Sequence, residues 1–210
     1  MHFRALLPGI LLLAGCTDTS LSMPLPQSDR RATPLYFGLY VTPDPQTNPI
    51  FPPERFTGYH VATDFEVTTA ELEDDVPVFA ICTGKVTFSG IAEGYGGLIV
   101  QRCTIQGESV TVLYGHIDTS NLPMIGKKIP SGEKIALLAP NRSDASDGNR
   151  KHLHLGIHRG EDIDTRGYVQ EESELESYMD PRDVLPFFPM TPLHTLKPFW
   201  QEISSDDVVQ

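Results

Sequence analysis

The chain has 210 residues and a formal net charge of −12, because 28 acidic residues outnumber 16 lysines and arginines. This length predicts one domain with tails, and the acidic balance argues against a nucleic-acid partner, whose phosphates need clustered cations. A hydrophobic content of 40% excludes a multi-span membrane protein, and 18 prolines with 17 glycines favour strands and turns over long helices.

The N-terminus has the pattern of an export signal. Arg4 precedes an apolar run over residues 5–14, which is too short to span a bilayer but suits a signal-peptide core. The run ends in Leu-Ala-Gly-Cys, which resembles a bacterial lipobox with cleavage before Cys16 and a lipid on its thiol. An ordinary secretory signal with an incidental cysteine is the alternative.

The lipobox resemblance implies a lipoprotein of the bacterial cell envelope that faces the periplasm and has the membrane as a partner. Thr17, rather than Asp, follows Cys16, which favours the outer membrane if the cell is Gram-negative. Residues 1–15 are then a lipoprotein signal peptide.

Composition divides the rest of the chain. Residues 16–34 are polar and predict a flexible tether that begins at the lipidated cysteine. Residues 35–189 are expected to form the domain, and its loop 42–54, with five prolines, is expected to rim a site. Residues 190–210 are assigned only as a C-terminal tail.

Strand-like runs separated by turn clusters fill the domain. They span residues 60–67, 76–81, 85–89, 97–102, 109–114, 134–138 and 152–158. Only residues 171–178 and 181–185 are candidates for helices. The predicted fold class is therefore mainly β, an antiparallel sandwich-like domain with few short helices.

Histidines and one aspartate have the spacing of a metal site. Side chains alternate along a strand, so His152 and His154 share one face, and so do His60 and Asp64 if one strand contains both. Two histidines and one carboxylate with a position left open are the ligands of a catalytic zinc. A single histidine on a strand is more often simply packed, but four histidines and an aspartate in this pattern favour the metal.

Several spaced motifs resemble one family, the lysostaphin/LytM-like zinc endopeptidases, which cut peptide bonds in peptidoglycan. The His-x-x-x-Asp segment at 60–64, the Tyr-x-His at 114–116 and the His-x-His at 152–154 have the family's order and spacing. The hairpin 94–100 and the Asp-Pro pair at 180–181 resemble further family segments.

The resemblance implies one zinc per chain, held by His60, Asp64 and His154. It also implies that His116 and His152 are catalytic and act on the water that the zinc activates. Histidine titrates near neutral pH and suits this transfer of protons.

The chain departs from the family pattern in three places. Ala62 replaces a usual glycine and is expected to narrow the approach to the metal; residues 141–149 contain the replacement of a Gly-Thr-Gly-like stretch, and residues 161–178 form an acidic insertion. These differences bear on the substrate preference rather than on the binding of the metal.

Cys82 and Cys103 either form a disulfide, which an exported compartment permits, or are two buried thiols. The strands 85–89 and 97–102 flank a glycine-rich turn and should pair antiparallel. Paired residue numbers summing to roughly 185–186 would bring residue 82 opposite 103 or 104, which favours the bond.

The expected activity is zinc-dependent hydrolysis of amide bonds in peptidoglycan peptides, with a regulatory protein as a possible further partner. One alternative is a non-catalytic LytM-like regulator that activates a murein amidase. Another is a zinc peptidase that acts on protein.

Overall fold

The computed structural model describes residues 20–186. The strands are β1 (Tyr40–Val41), β2 (Gly58–His60), β3 (Ala62–Glu66), β4 (Pro77–Phe79), β5 (Gly84–Ala92), β6 (Gly96–Ile105), β7 (Glu108–Gly115), β8 (Lys128–Ile129), β9 (Lys134–Leu137), β10 (His152–Arg159) and β11 (Tyr168–Val169). The helices are short: α1 (Pro181–Val184) and the 3-10 turns Ser28–Arg30, Thr69–Glu71, Asp144–Ser146 and Glu172–Ser177.

Three sheets make up this part of the chain. Six strands lie in the order β3-β10-β7-β6-β5-β8, three in the order β1-β2-β11, and β4 pairs with β9. Every pairing is antiparallel. The prediction of a mainly antiparallel β fold is confirmed.

The main core lies between the six-stranded sheet and the β4–β9 pair. Alternation along β10 sends Leu153, Leu155 and Ile157 into this core. His152 and His154 therefore point to the opposite face, where the sheet is not covered by β4 and β9. This alternation produces the sandwich-like layering and leaves one face of the sheet for a site.

The chain changes sheet at Val61. β2 belongs to the three-stranded sheet and β3 to the six-stranded sheet, so the predicted single strand over residues 60–67 is interrupted. The Val61 N–H donates instead to the carbonyl of Gly167, 3.1 Å away. Every residue from 60 to 65 is buried, which ties both sheets to this crossing.

Residues 20–34 are part of the domain, so the flexible tether predicted for residues 16–34 is wrong over this range. Leu25 is only 1% exposed and lies in the main core. The Phe79 N–H donates to the carbonyl of Pro24 at 2.8 Å, and Arg31 makes a bidentate ion pair with Glu71. Residues 20–34 are polar overall, but they include a few apolar side chains, of which Leu25 is the most deeply buried.

The β5–β6 hairpin contains the predicted turn but a different register. Lys85 pairs with Arg102 and Ala92 with Gly96, so the paired numbers sum to 187–188 rather than 185–186. Cys82 therefore lies before β5 begins and is not a cross-strand partner of Cys103. A disulfide still joins the two, with their Cα atoms 6.2 Å apart, because the chain ahead of β5 folds back toward β6.

The C-terminal part is helical only in short turns. The helix predicted over 171–178 is a 3-10 helix, and the one over 181–185 is α1. Asp180 caps α1 by accepting the Arg182 N–H at 2.9 Å, and Pro181 suits the first helical position.

Some predicted features lie outside the described residues: the signal segment, Cys16 and the tail 190–210. Within residues 20–186, no helix is long and apolar enough to cross a membrane.

Candidate active site

Atoms from both larger sheets converge at the Val61 crossing. Asp64 on β3 lies directly opposite His154 on β10, and His60 approaches from the three-stranded sheet. His60 Nε2 is 3.2 Å from His154 Nδ1 and 3.4 Å from Asp64 Oδ1. His154 Nδ1 is 3.1 Å from the same oxygen. All three side chains are buried, and together they form a group that could hold a metal ion.

The chemistry of these atoms fits a cation. Burial lowers the pKa of His60 to about 3, so its imidazole is neutral at neutral pH and offers a lone pair. Asp64 Oδ1 is buried and receives no hydrogen bond, a state that normally costs about 1–3 kcal/mol or more. Ligand atoms around a tetrahedral zinc are separated by about 3.3 Å, which is close to the three separations found here.

Asp64 is held as a carboxylate. Burial acts to raise its pKa, but the nearby imidazoles of His152 and His60, with a hydrogen bond from His152, hold the pKa well below its ordinary value. The side chain is therefore charged at neutral pH, as a metal ligand requires.

Two further histidines lie beside this group, with ring centroids 4.4 Å apart. His116 Nδ1 is 2.9 Å from the carbonyl of Tyr95, and His152 Nδ1 is 2.9 Å from the carbonyl of Arg150. A carbonyl only accepts, so both Nδ1 atoms carry a proton, and Nε2 of His116 is left to accept one. His152 Nε2 also lies 3.1 Å from Asp64 Oδ2.

The backbone of His116 is strained. Its φ of 60° is in the left-handed region, which a non-glycine residue occupies only when its surroundings enforce it. The hydrogen bond from its ring to Tyr95 and the bond from the Ala139 N–H to its carbonyl, 2.9 Å long, supply that enforcement. Such strain is common where a catalytic side chain must be preorganised.

All five residues expected at the site are brought together. The remaining strand histidine, His158, is elsewhere: its Nε2 is 3.9 Å from Asp164 and its ring packs against Tyr178. Ala62, expected to narrow the approach to the metal, is fully buried and packs beside Gly156 of β10; the narrowing stays a prediction.

Sequence reasoning missed two tyrosines at the site. Tyr95 Oη is 3.4 Å from His154 Nε2, so it is placed to orient that imidazole, as groups behind a metal ligand commonly do. Tyr168, from the acidic insertion, packs its ring on His60 with centroids 5.0 Å apart. Nothing in the pattern of the insertion indicated this contact.

Arg150 was also missed, although its position carried a signal. Residues 150, 152 and 154 are evenly spaced, which predicts one shared face. The guanidinium is 2.8 Å from Asp64 Oδ2 and also bonds Glu66 and Glu54. Burial acts to lower the pKa of Arg150, but Glu66 and Asp64 outweigh it and raise that pKa.

A cavity of about 290 Å³ opens beside these histidines. His116, His152 and His154 form its polar floor, and the insertion supplies Tyr168 as part of a wall. The proline-rich loop reaches it through its last residue, Glu54, so that loop does border the site as predicted. The ring of Tyr168 stacks on Phe56, 5.5 Å away, which stiffens the wall.

Comparison with known proteins agrees with this geometry. Residues 58–165, which include all five site residues, match peptidase family M23. The chain belongs to this family. Membership and the site together indicate a hydrolase of the metallopeptidase type.

Solved structures with similar folds include two of known source. One, CbpA from L. salivarius REN, is 21% identical with a TM-score of 0.50 over 80% of this chain and 95% of that chain. The other is the catalytic domain of the antimicrobial peptidase lysostaphin from Staphylococcus simulans, 18% identical with a TM-score of 0.49 over 74% of this chain and 92% of that one. These similarities concern the fold. A comparison with curated protein sequences gave no match.

The Arg150 cluster should contribute to stability. Arg150→Gln should lower the free energy of unfolding by about 3 kcal/mol, because it leaves buried carboxylates without their counter-charge. Adding Glu66→Gln should recover part of that loss. Urea denaturation with a chelator present measures both without a metal contribution. Arg159→Gln, which breaks an exposed pair with Glu108, is the control and should cost less than about 1 kcal/mol. Equal losses for Arg150→Gln and Arg159→Gln would contradict a stabilising cluster.

Metal binding should separate the five site residues into two groups. His60→Ala, His154→Ala and Asp64→Asn should weaken zinc binding by more than the roughly 10–100-fold that loss of an outer partner costs. His116→Ala should retain most of the affinity, because its ring nitrogens are not part of the convergent group. Competition with a chromogenic chelator measures this independently of activity. A loss for His116→Ala as large as that for His60→Ala would place His116 among the ligands.

Proposed function

We propose that the protein is a zinc-dependent endopeptidase that hydrolyses amide bonds in the peptide part of peptidoglycan and is anchored to a membrane by lipid on Cys16. The observation that carries the enzymatic part is the convergence of His60, Asp64 and His154 beside His116 and His152. Asp64, His154 and these two histidines line one cavity, where a peptide can reach them.

The donor set suits zinc. Two neutral imidazoles and one carboxylate leave a bound zinc ion with net positive charge, which activates water and polarises a carbonyl. Residues His60, Asp64 and His154 would hold the ion. Tyr95 supports His154, and Arg150 occupies Asp64 Oδ2, so that Oδ1 is the oxygen left for the metal.

His116 is suited to move the proton. Burial, together with the nearby charges of His152 and His154, lowers its pKa well below the ordinary value, so the ring is neutral and can accept a proton. Its Nδ1–H is fixed on the carbonyl of Tyr95, which leaves Nε2 to take the proton of an attacking water and to return it to the leaving amine. His152 is bonded in the same way to the carbonyl of Arg150. When its Nε2 is protonated, it can share that proton between Asp64 Oδ2, 3.1 Å away, and the developing oxyanion.

The cavity limits how much of a substrate is enclosed. A volume of about 290 Å³ lies at the lower end for small-ligand sites and encloses only a few atoms on each side of the scissile bond. The lining contains Glu54 and Glu93 as well as Arg166, so the walls are charged. Because the whole chain is strongly acidic, attraction to anionic peptidoglycan has to come from local contacts of this kind.

Digestion of purified sacculi tests the enzymatic proposal. The unmodified protein should release muropeptides that mass spectrometry identifies, a chelator should abolish release, and added zinc should restore it. His116→Ala should keep its zinc and lose about 10²–10⁴ in rate, the usual share of acid–base catalysis. His158→Gln is the matched control, a histidine about 13 Å from His154 along the same strand, and should retain the rate.

Other outcomes identify the alternatives. A protein with a full zinc complement that cleaves neither sacculi, nor cross-linked muropeptides, nor glycine-rich peptides would falsify the endopeptidase proposal. If it then stimulates an added murein amidase, and His116→Ala stimulates equally, the regulator is the better description. Cleavage of unfolded protein without cleavage of muropeptides would identify a protein peptidase.

The lipid anchor has its own test. The full-length protein should fractionate with membranes and have Cys16 as its modified N-terminus, because two acyl chains give stable anchoring. Cys16→Ala should leave the protein unprocessed or soluble. A wild-type protein found in the soluble fraction with a free thiol at Cys16 would contradict the anchor.

A further inference from the structure

Lysines are concentrated at one edge of the six-stranded sheet. Of the six lysines in the chain, four surround the edge strand β8 and are exposed: Lys85, Lys127, Lys128 and Lys134. Lys128 lies opposite Lys85, and Lys127 and Lys134 line one shallow depression. Lys127 pairs with Glu133 at 3.0 Å. The other three have no ion pair within residues 20–186, so this edge, which we call the basic edge, is positive in an acidic protein.

Two apolar side chains project beside these lysines. Met124 is 79% exposed and Ile125 is 65% exposed. They lie in the loop that leads into β8, and backbone bonds to β5 hold this loop on the sheet: the Gly126 N–H donates to the carbonyl of Val86 at 2.8 Å, and the Val86 N–H donates to the carbonyl of Lys127 at 2.9 Å. A rigid loop that presents two apolar side chains among lysines matches the composition of surfaces that bind at a membrane interface.

The N-terminal segment meets the domain at the same place. The Ser22 N–H donates to the carbonyl of Ile81 at 2.9 Å, and Ser22 Oγ is 2.9 Å from Ser131 Oγ. Ser131 follows Lys128 by three residues. Cys16 precedes Ser22 by six residues, which span at most about 20 Å. A lipid on Cys16 would therefore hold the neighbourhood of Ser22 within about 20 Å of the bilayer.

The candidate active site lies at the other end of the hairpin. β5 begins beside the basic edge at Lys85 and ends at Ala92, next to Glu93, Gly94 and Tyr95, which line the cavity. Seven residues of strand separate the two ends by roughly 24 Å. Contact between the basic edge and a bilayer would therefore leave the cavity at the far end of the hairpin.

We propose that the basic edge, together with Met124 and Ile125, is a docking surface for anionic phospholipids of the membrane that anchors Cys16. That this surface faces the membrane rests on the lipid anchor of the proposed function, whereas the affinity of the surface for lipid does not. Each lysine near an anionic surface strengthens binding by roughly fivefold, and the two apolar side chains enter the headgroup region. Lysines on an edge strand also prevent pairing with another chain, which is the competing explanation.

Vesicle co-sedimentation tests the proposal on the chain from residue 16 onward with Cys16→Ser, which has no lipid of its own. This protein should bind vesicles of phosphatidylethanolamine with one quarter phosphatidylglycerol and bind phosphatidylcholine vesicles at least tenfold more weakly. Lys127→Gln with Lys128→Gln should reduce binding to the anionic vesicles by about tenfold or more. Met124→Ser with Ile125→Ser should also reduce it.

A charge-matched control replaces Arg55 and Arg142 by Gln. Both line a second cavity beside the proline-rich loop, and binding should stay within about twofold of the parent protein. Muropeptide cleavage by each variant, measured in solution, should be unchanged, which keeps a failure of docking distinct from a failure of the endopeptidase proposal.

Three results would overturn the docking surface. The first is binding of the parent protein to neither vesicle type, or to both types equally. The second is a lysine variant that binds anionic vesicles as well as the parent protein does; if it also self-associates, the lysines serve only to protect the edge strand. The third is a requirement for the lysines in sedimentation with sacculi and not with vesicles, in which case the surface binds peptidoglycan.

Discussion

The change of sheet at Val61 is the constraint on which the rest of the site depends. With β2 on one sheet and β3 on another, His60 and Asp64 approach a common point from two directions, which side chains on one flat strand could not do. The insertion holds this crossing through two neighbouring residues, by the bond from Val61 to Gly167 and by the pairing of His60 with Tyr168. The acidic insertion is thus part of the framework that positions a ligand, in addition to forming a wall of the cavity.

Asp64 is the second organising element, because its two oxygens have different surroundings. Oδ1 faces the imidazoles of His60 and His154, while Oδ2 faces His152 and Arg150. With Oδ2 occupied, only one oxygen is left to bind a metal ion. Glu66 and Glu54 in turn balance the charge of Arg150. A buried network of this kind adds little net stability compared with apolar packing, but it fixes geometry when every member is paired.

Much of the site could be predicted from sequence, because strand alternation is a short-range rule. It placed His152 and His154 on one face correctly and would have placed Arg150 there as well. It grouped His60 with Asp64 for the wrong reason, since no local pattern shows where a chain leaves one sheet for another. The hairpin register was wrong because the turn is centred at Gly94, between Ala92 and Gly96, rather than near residue 93. Contacts such as Tyr168 on His60 depend on the path of an insertion, which composition does not reveal.

Residues 20–33 are synthesised before the rest of the domain but cannot take their places until distant parts of the chain are present. Ser22 contacts Ser131, 109 residues later, and Leu25 enters a core whose other members come from strands throughout the domain. Contacts between such distant residues form late, because the entropy of closing the intervening loop opposes them. Residues 20–33 therefore pack last, onto a core that the later strands form. A chain shortened to begin at residue 35 would lose this covering of the core rather than a dispensable tail.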